Sequence, residues 1–248
     1  MNELVYYAFV IVAALISLTV HEYSHAYVAY RLGDPTPSIM GRLSLSPARH
    51  IDPIGALAMI FFRVGWAKPV PIDPRFFKKP KRDMAITGAA GPLSNIILAF
   101  FACFFALLFQ SLLFSVRIGT ASGYMLANLL YYLAQFFAIF HILNLSLAIF
   151  NLLPITPLDG SRILYLFLPR RALDWFLRNE RRIYLAVIVW LILGDRLAAL
   201  LLKIPAVKAS PLLTALFRIL SLTGWIGSAA EGLSGLMVRF WTLIPFLA

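Results

Sequence analysis

The stretch LISLTVHEYSHAYVAYRLG, Leu15 to Gly33, decides how the rest of the chain is read. Two histidines, a glutamate and two serines sit inside a largely apolar helical run that begins at Leu4 and ends at Arg31. The run is longer than the ~20 residues that cross a bilayer as a helix. Ionisable groups at such depth are expensive unless they face the protein interior and serve a function. On a helix, His21 and His25 are four positions apart and project from one face. That is the spacing with which two imidazoles hold one zinc ion, and Glu22 beside them is placed to act as a general base.

The surroundings are apolar throughout. Of 248 residues, 61% are hydrophobic and 13% charged, with a mean hydropathy of +0.83; an ordinary soluble domain has roughly 45–50% apolar and about 25% charged residues. The composition therefore implies a polytopic membrane protein. No Lys or Arg precedes the first run and no small-residue cleavage site follows it, so it reads as a retained span and not as a secretory signal. Further spans are expected at Met84–Leu113, Tyr124–Phe150 and Ile183–Leu202, with a broken apolar segment, Asn151–Pro169, between the last two. The tail after Lys208 is apolar but carries Arg218, Glu231 and Arg239, which fits either a sixth crossing or helices lying in the interface. No stretch is large and polar enough to be a separate soluble domain. The expected organisation is a core over residues 1–208 and an apolar C-terminal segment over residues 209–248.

Charge sets the expected orientation. The connection from Arg31 to Asp83 holds ten Lys or Arg, the connection after the second long span has only Arg117, and Pro169–Arg182 has five. Short loops rich in Lys and Arg stay in the cytoplasm, which puts the N-terminus outside and both basic loops inside. The net charge of +11 suits anionic headgroups beside these loops better than nucleic acid, because the basic residues flank spans. The single Cys103 excludes an internal disulfide.

A catalytic metal on His21 and His25 needs a third protein ligand and an open fourth place. Among acids outside the basic loops, Asp159, Asp195 and Glu231 lie in or near apolar segments. Asp159 is favoured by its context, NLLPITPLDGSR, where Pro154, Pro157 and Gly160 prevent a continuous helix. Unwound backbone at membrane depth is tolerated only where it lines a cavity or is buried in protein. His21 is ten residues before Arg31 and Asp159 eleven before Arg170, so at ~1.5 Å per helical residue both lie roughly 15 Å or somewhat less from the same edge. Asp195 follows Gly194 near the far end of its span, and Glu231 lies in the tail.

HEYSH in the first span, GPLSN (Gly91–Asn95) in the next and NLLPITPLDG (Asn151–Gly160) before a short helix together resemble the site-2 protease family of intramembrane zinc metalloproteases. The loop stretches Gly41–Gly55 and Gly65–Pro71 resemble the short bacterial branch, and neither a PDZ domain nor a CBS pair is present. The resemblance implies one zinc per chain held by His21, His25 and Asp159, with Glu22 activating water. It also implies a bacterial inner-membrane location and a membrane-protein substrate cut within, or at the cytoplasmic edge of, a transmembrane segment. Asn151 resembles the family's asparagine near the zinc, whose amide could donate to a developing oxyanion; read as a residue alone, it fits a helix C-cap before Pro154 equally.

The other polar residues read more plainly. Asn95 is expected to fix helix packing, with its amide bonded to unwound backbone, and His141 to make an interhelical hydrogen bond. Ser24 faces away from the histidines, and His50 has no partner at ligand spacing. Thr36–Pro47 alternates apolar and polar side chains, which predicts a strand or hairpin whose free edge would add to an unwound substrate. Two other functions compete with a protease. An ion-coupled transporter would show paired broken helices in two halves, whereas one break and no repeat are found. A catalytically inactive homologue is opposed by the intact His21, Glu22, His25 and Asp159.

Overall fold

A computed structural model describes residues 1–52, 55, 68–117, 119–205, 209–211, 213 and 221–247. Gly65–Ala67 of the second loop motif, Arg63, Lys208 and Arg218 lie outside the described residues. The fold is all-helical, with no strand among the described residues.

Helix α1 spans Glu3–Arg31. Asn2 starts it by accepting from the Leu4 N–H, and Gly33, at φ +111°, ends it in the left-handed conformation that glycine adopts without a Cβ clash. Four residues of helix, α2 (Thr36–Ile39), follow. Helix α3 (Pro80–Ser115) opens with proline at its start, where the missing N–H costs nothing, and Asp83 accepts from the Lys79 N–H. Five residues connect it to α4 (Ala121–Leu152), whose N-cap Thr120 accepts from the Gly123 N–H. After the break at Leu153–Leu158 come α5 (Asp159–Phe167), α6 (Arg170–Val189), a π-helical turn at Trp190–Gly194 and α7 (Asp195–Leu201). Helix α8 (Leu222–Trp241) closes the described chain.

Helices α1, α3 and α4 are each long and apolar enough to cross a membrane, and the molecule is a membrane protein. The stretches expected to form further crossings, Ile183–Leu202 and the tail, are helical in α6, α7 and α8 but are not among these three.

The long pair α3–α4 forms the centre, with α1 packed on both and α5 tucked against α3. Small residues make the crossings. Ala13, Ala102 and Phe140 join α1, α3 and α4, and Ala99, Cys103, Leu145, Ala230 and Met237 join α3, α4 and α8. In lipid, where apolar burial supplies no drive between helices, close approach of small side chains and interhelical hydrogen bonds hold such a bundle. Two of those bonds fasten α8: His141 Nε2 pairs with Ser234 Oγ at 2.8 Å, and Trp241 Nε1–H donates to the Phe100 carbonyl at 3.0 Å. His141 also reaches the Ala99 carbonyl from Nδ1 at 2.8 Å, so it makes the interhelical bonds expected of it.

The strand expected in Thr36–Pro47 is absent. Asp34 Oδ1 accepts from the Thr36 N–H, Pro37 sits in the first helical turn, and Gly41 at φ +65° stops the turn, so local capping overrides the alternation. Beyond it the chain folds on itself without a ladder. Buried Arg42 donates to the carbonyls of Arg49 and Lys68, and His50 donates from Nε2 to the Ser44 carbonyl. A backbone bond, Lys68 N–H to the His50 carbonyl at 2.8 Å, ties the two ends of this loop. Thr36–Pro47 therefore presents no strand edge to which a substrate would add. The next stretch is pinned by buried Asp34, whose Oδ2 accepts from the Asp73 N–H. Side-chain and backbone hydrogen bonds from Arg75 hold the Asp73 carboxyl below the usual carboxylate range.

Two glycines separate close approach from open surface. A Cβ on Gly160 would lie 2.2 Å from the Leu152 carbonyl oxygen, whereas one on Gly227 would meet nothing within 4 Å. Gly160→Ala is expected to lower the thermal midpoint in detergent, at a cost of about 1–3 kcal/mol. Gly227→Ala, inside α8, is expected to leave the midpoint unchanged or raise it.

Candidate metal centre

Two elements far apart in sequence meet at one point. His21 and His25 come from α1, one helical turn apart, and Asp159 is the first residue of α5, where the helix N-terminus favours a carboxylate. The break before it lets α5 turn inward, and Gly160 admits the end of α4 beside it. All three side chains are buried. Asp159 Oδ2 lies 3.1 Å from His21 Nε2 and 3.1 Å from His25 Nε2, and the two Nε2 atoms are themselves 3.1 Å apart.

The partners on the far sides of the rings settle what these atoms carry. His25 Nδ1–H donates to the Thr87 carbonyl at 2.7 Å, so Nε2 is the nitrogen that a neutral ring offers to a metal. His21 is fixed through a chain of two buried amides. Asn144 Nδ2 donates to the Phe140 carbonyl at 2.8 Å, so its Oδ1 is left to accept from Asn95 Nδ2 at 2.7 Å. Asn95 Oδ1 therefore accepts from His21 Nδ1–H at 2.6 Å. A carbonyl only accepts, and so the direction of every bond in the chain, and with it the tautomer of His21, is determined.

With both Nδ1 positions occupied by outward partners, the two Nε2 atoms and Asp159 Oδ2 face one another at equal distances. A proton bridges two atoms; an arrangement of three suits a cation shared by all. A tetrahedral zinc site with ligand bonds of about 2.0–2.1 Å has edges of about 3.3–3.4 Å, close to the 3.1 Å separations. The donor set of two neutral imidazoles and one carboxylate fits zinc and leaves a fourth place open.

That place is a cavity of about 140 Å³. His21, Glu22, His25, Asn151, Asp159 and Arg162 line it, and Pro69, Val70 and Ile72 of the extended loop cover it. Glu22 Oε2 accepts from the Val70 N–H at 3.2 Å, so the loop and the general-base candidate are joined. Asn151 stands in the wall with one amide N–H donated to the Leu147 carbonyl at 3.0 Å. Helix α3 approaches closely because position 91 is glycine: a Cβ there would fall 2.4 Å from His25 Nε2 and 2.6 Å from His21 Nε2.

All five residues expected from the sequence line one cavity. Ser24, bonded to the Val20 carbonyl, lies outside it, and exposed Glu231 joins no metal-ligating group among the described residues. Asn95 is the correction: its amide holds His21 and Asn144, not unwound backbone, and it belongs to the site. Asn144, Thr87 and Arg162 are the structure's additions to the site. For Asn144 a signal existed, since it lies seven residues before Asn151, two turns along one helix face, and an amide is costly in an apolar span.

Residues 9–194 match the profile of peptidase family M50. Among curated proteins, "Putative zinc metalloprotease YwhC" of Bacillus subtilis (strain 168) is 40% identical over 169 residues, covering 66% of this chain and 73% of that one. "Zinc metalloprotease MJ0392" of Methanocaldococcus jannaschii is 30% identical over 171 residues, covering 69% of this chain and 38% of its own length. "Putative zinc metalloprotease Rip2" of Mycobacterium tuberculosis is 30% identical over 161 residues, covering 62% and 55%. The chain thus spans only about two fifths to just over half of the archaeal and mycobacterial relatives. No solved structure matches.

Two substitutions test the support of the histidines without touching them. Asn95→Leu removes the partner of His21 Nδ1 and is expected to weaken zinc binding about 10–100-fold, read by competition with a chromophoric chelator. Gly91→Ala drives a methyl group into both rings and is expected to abolish stoichiometric zinc, while Ser24→Ala retains it.

Proposed function

We propose that this chain, which belongs to peptidase family M50, is a zinc-dependent intramembrane endopeptidase of the site-2 type that cuts transmembrane segments within the membrane or at its cytoplasmic edge. The observation that carries the reading is the convergence of His21, His25 and Asp159 beside Glu22 in one buried cavity. The relatives' names, which describe zinc metalloproteases, agree with it.

Each residue has a role in peptide hydrolysis. His21, His25 and Asp159 hold one zinc ion, which when bound supplies a Lewis acid for the scissile carbonyl and lowers the pKa of water. Glu22 takes the proton from the attacking water and returns it to the leaving amine. Asn151 has a second amide N–H beyond the one given to Leu147, and directs it at the oxyanion as charge develops. The covering loop restricts water to a small volume, which strengthens these interactions.

The Lys and Arg asymmetry supports an N-terminus outside and both basic loops inside, in a bacterial inner membrane. Residues 1–208 form the protease core, and the helix over Leu222–Trp241 is an addition packed on its flank. Helices α6–α7 and α8 complete five crossings with the three long ones. The substrate is another membrane protein. Its segment must open before cleavage, so Gly, Pro or Asn near the scissile bond favours hydrolysis by making the helix cheaper to unwind.

Metal analysis of the purified protein, paired with cleavage of a tagged single-span substrate, tests the function. His21→Ala, His25→Ala and Asp159→Ala are expected to lose zinc and activity together. Glu22→Gln is expected to keep zinc and lose about 10²–10⁴-fold in rate; loss of zinc in folded Glu22→Gln as complete as in His21→Ala would contradict its role. The topology has its own measurement: Lys79→Cys is expected to resist an impermeant thiol reagent in intact cells, with buried Cys103 as the silent background.

A further inference from the structure

We infer that Arg162 is a positioning residue that holds Asp159 to a single ligating oxygen. The inference rests on the zinc reading above and extends it to a side chain for which that reading has no use.

Each histidine of the site has a partner on the nitrogen that faces away from the centre. The corresponding atom of Asp159 is Oδ1, since Oδ2 alone touches both rings. Arg162 Nη1 lies 3.8 Å from that Oδ1, so the third ligand also has an outer partner. An Asp–Arg pair three residues apart on an exposed helix would mean little. This pair is not exposed: the Asp159 side chain is 10% accessible, the Arg162 side chain 27%, and both face the cavity.

The arginine is held where it is needed. Its stem packs on α3 at Gly88, where a Cβ would fall 2.9 Å from Arg162 Cβ and 3.1 Å from Cδ. The side chain is thereby kept over its carboxylate instead of swinging out toward headgroups, the usual course for a long cation in a membrane segment. Charge agrees with the placement. Among the described lining residues Arg162 is the one permanent cation, facing the two acids Glu22 and Asp159.

The consequence concerns the open coordination place. A carboxylate with both oxygens free can turn and offer both to a metal, filling the position that water and the scissile carbonyl require. The guanidinium charge 3.8 Å from Oδ1 attracts that oxygen away from the metal position, so Oδ2 alone is presented and the place stays open. Arginine suits this task because its charge is permanent.

The test uses the full chain in detergent, loaded with zinc or with cobalt(II) alone. Arg162→Gln is expected to lower zinc affinity about 10–100-fold in a chelator competition. Its cobalt complex is expected to show a weaker visible band than the parent protein, as a second carboxylate oxygen joins the metal. Wild-type affinity and spectrum in this variant would overturn the inference. So would lost affinity with an unchanged cobalt band, because loosening the site lowers occupancy without adding a ligand. If Arg162→Gln does not fold, judged by elution and far-ultraviolet dichroism, Arg162→Lys decides: a change of at least threefold with the same spectral shift supports the assignment, and parental values for both overturn it. Failure of the unmodified protein to bind either metal would remove the zinc reading itself and this inference with it, which the Arg162 variants alone do not.

Discussion

Three lone-pair atoms held 3.1 Å apart in an apolar membrane protein are the feature around which the molecule is arranged. Left to themselves, two neutral imidazoles and a carboxylate would turn apart or take up a proton. The tautomers are imposed from behind, on His25 by a backbone carbonyl and on His21 by two amides ending on another carbonyl. In a low dielectric each of these bonds is stronger than in water, and each buried group left without one would be costly. Satisfying the polar groups and presenting the lone pairs are therefore the same structural task.

Helix α3 performs most of it. Thr87, Gly88, Gly91, Asn95 and Ala99 recur at three- and four-residue intervals, so they share one face. Along it the helix gives a carbonyl to His25, room to Arg162, room to both imidazoles, an amide to His21 and a carbonyl to His141. The opposite face presents Leu93, Ile97, Phe101 and Phe105, all exposed, as a surface in contact with acyl chains would. One helix thus meets lipid on one side and supports a hydrophilic centre on the other. Glycine at positions 88 and 91 allows the close approach, because any Cβ there would strike the groups it positions.

The loop over the cavity adds a link to the general-base candidate. Pro69 and Pro71 carry no N–H, so in that short run the Val70 N–H is the donor available, and it goes to Glu22. The same loop is tied at its ends to buried groups, Lys68 to the His50 carbonyl and Asp73 to Asp34. The cover is therefore registered on the helix that carries Glu22 and not merely laid across it.

With Asn151 resting on the family resemblance, the sequence alone determined the membrane setting, the three long helices and four of the residues that line the cavity, His21, Glu22, His25 and Asp159. Each follows from local chemistry: an apolar run of sufficient length, two histidines at helical spacing, and two prolines and a glycine that break a span beside an aspartate. In Thr36–Pro47 the period-two pattern is outweighed by a side-chain cap at Asp34 and a left-handed Gly41, whose influence depends on conformation and not on composition. Only the tertiary structure decided which amides serve the candidate metal ligands. Asn95 and Asn144 look like ordinary packing residues until α3 and α4 are placed side by side, because a hydrogen-bond chain through three helices has no signature along any one of them. The same holds for Arg162, whose meaning depends on which oxygen of Asp159 turns toward the histidines, a matter fixed by how α5 docks against α1 and α3.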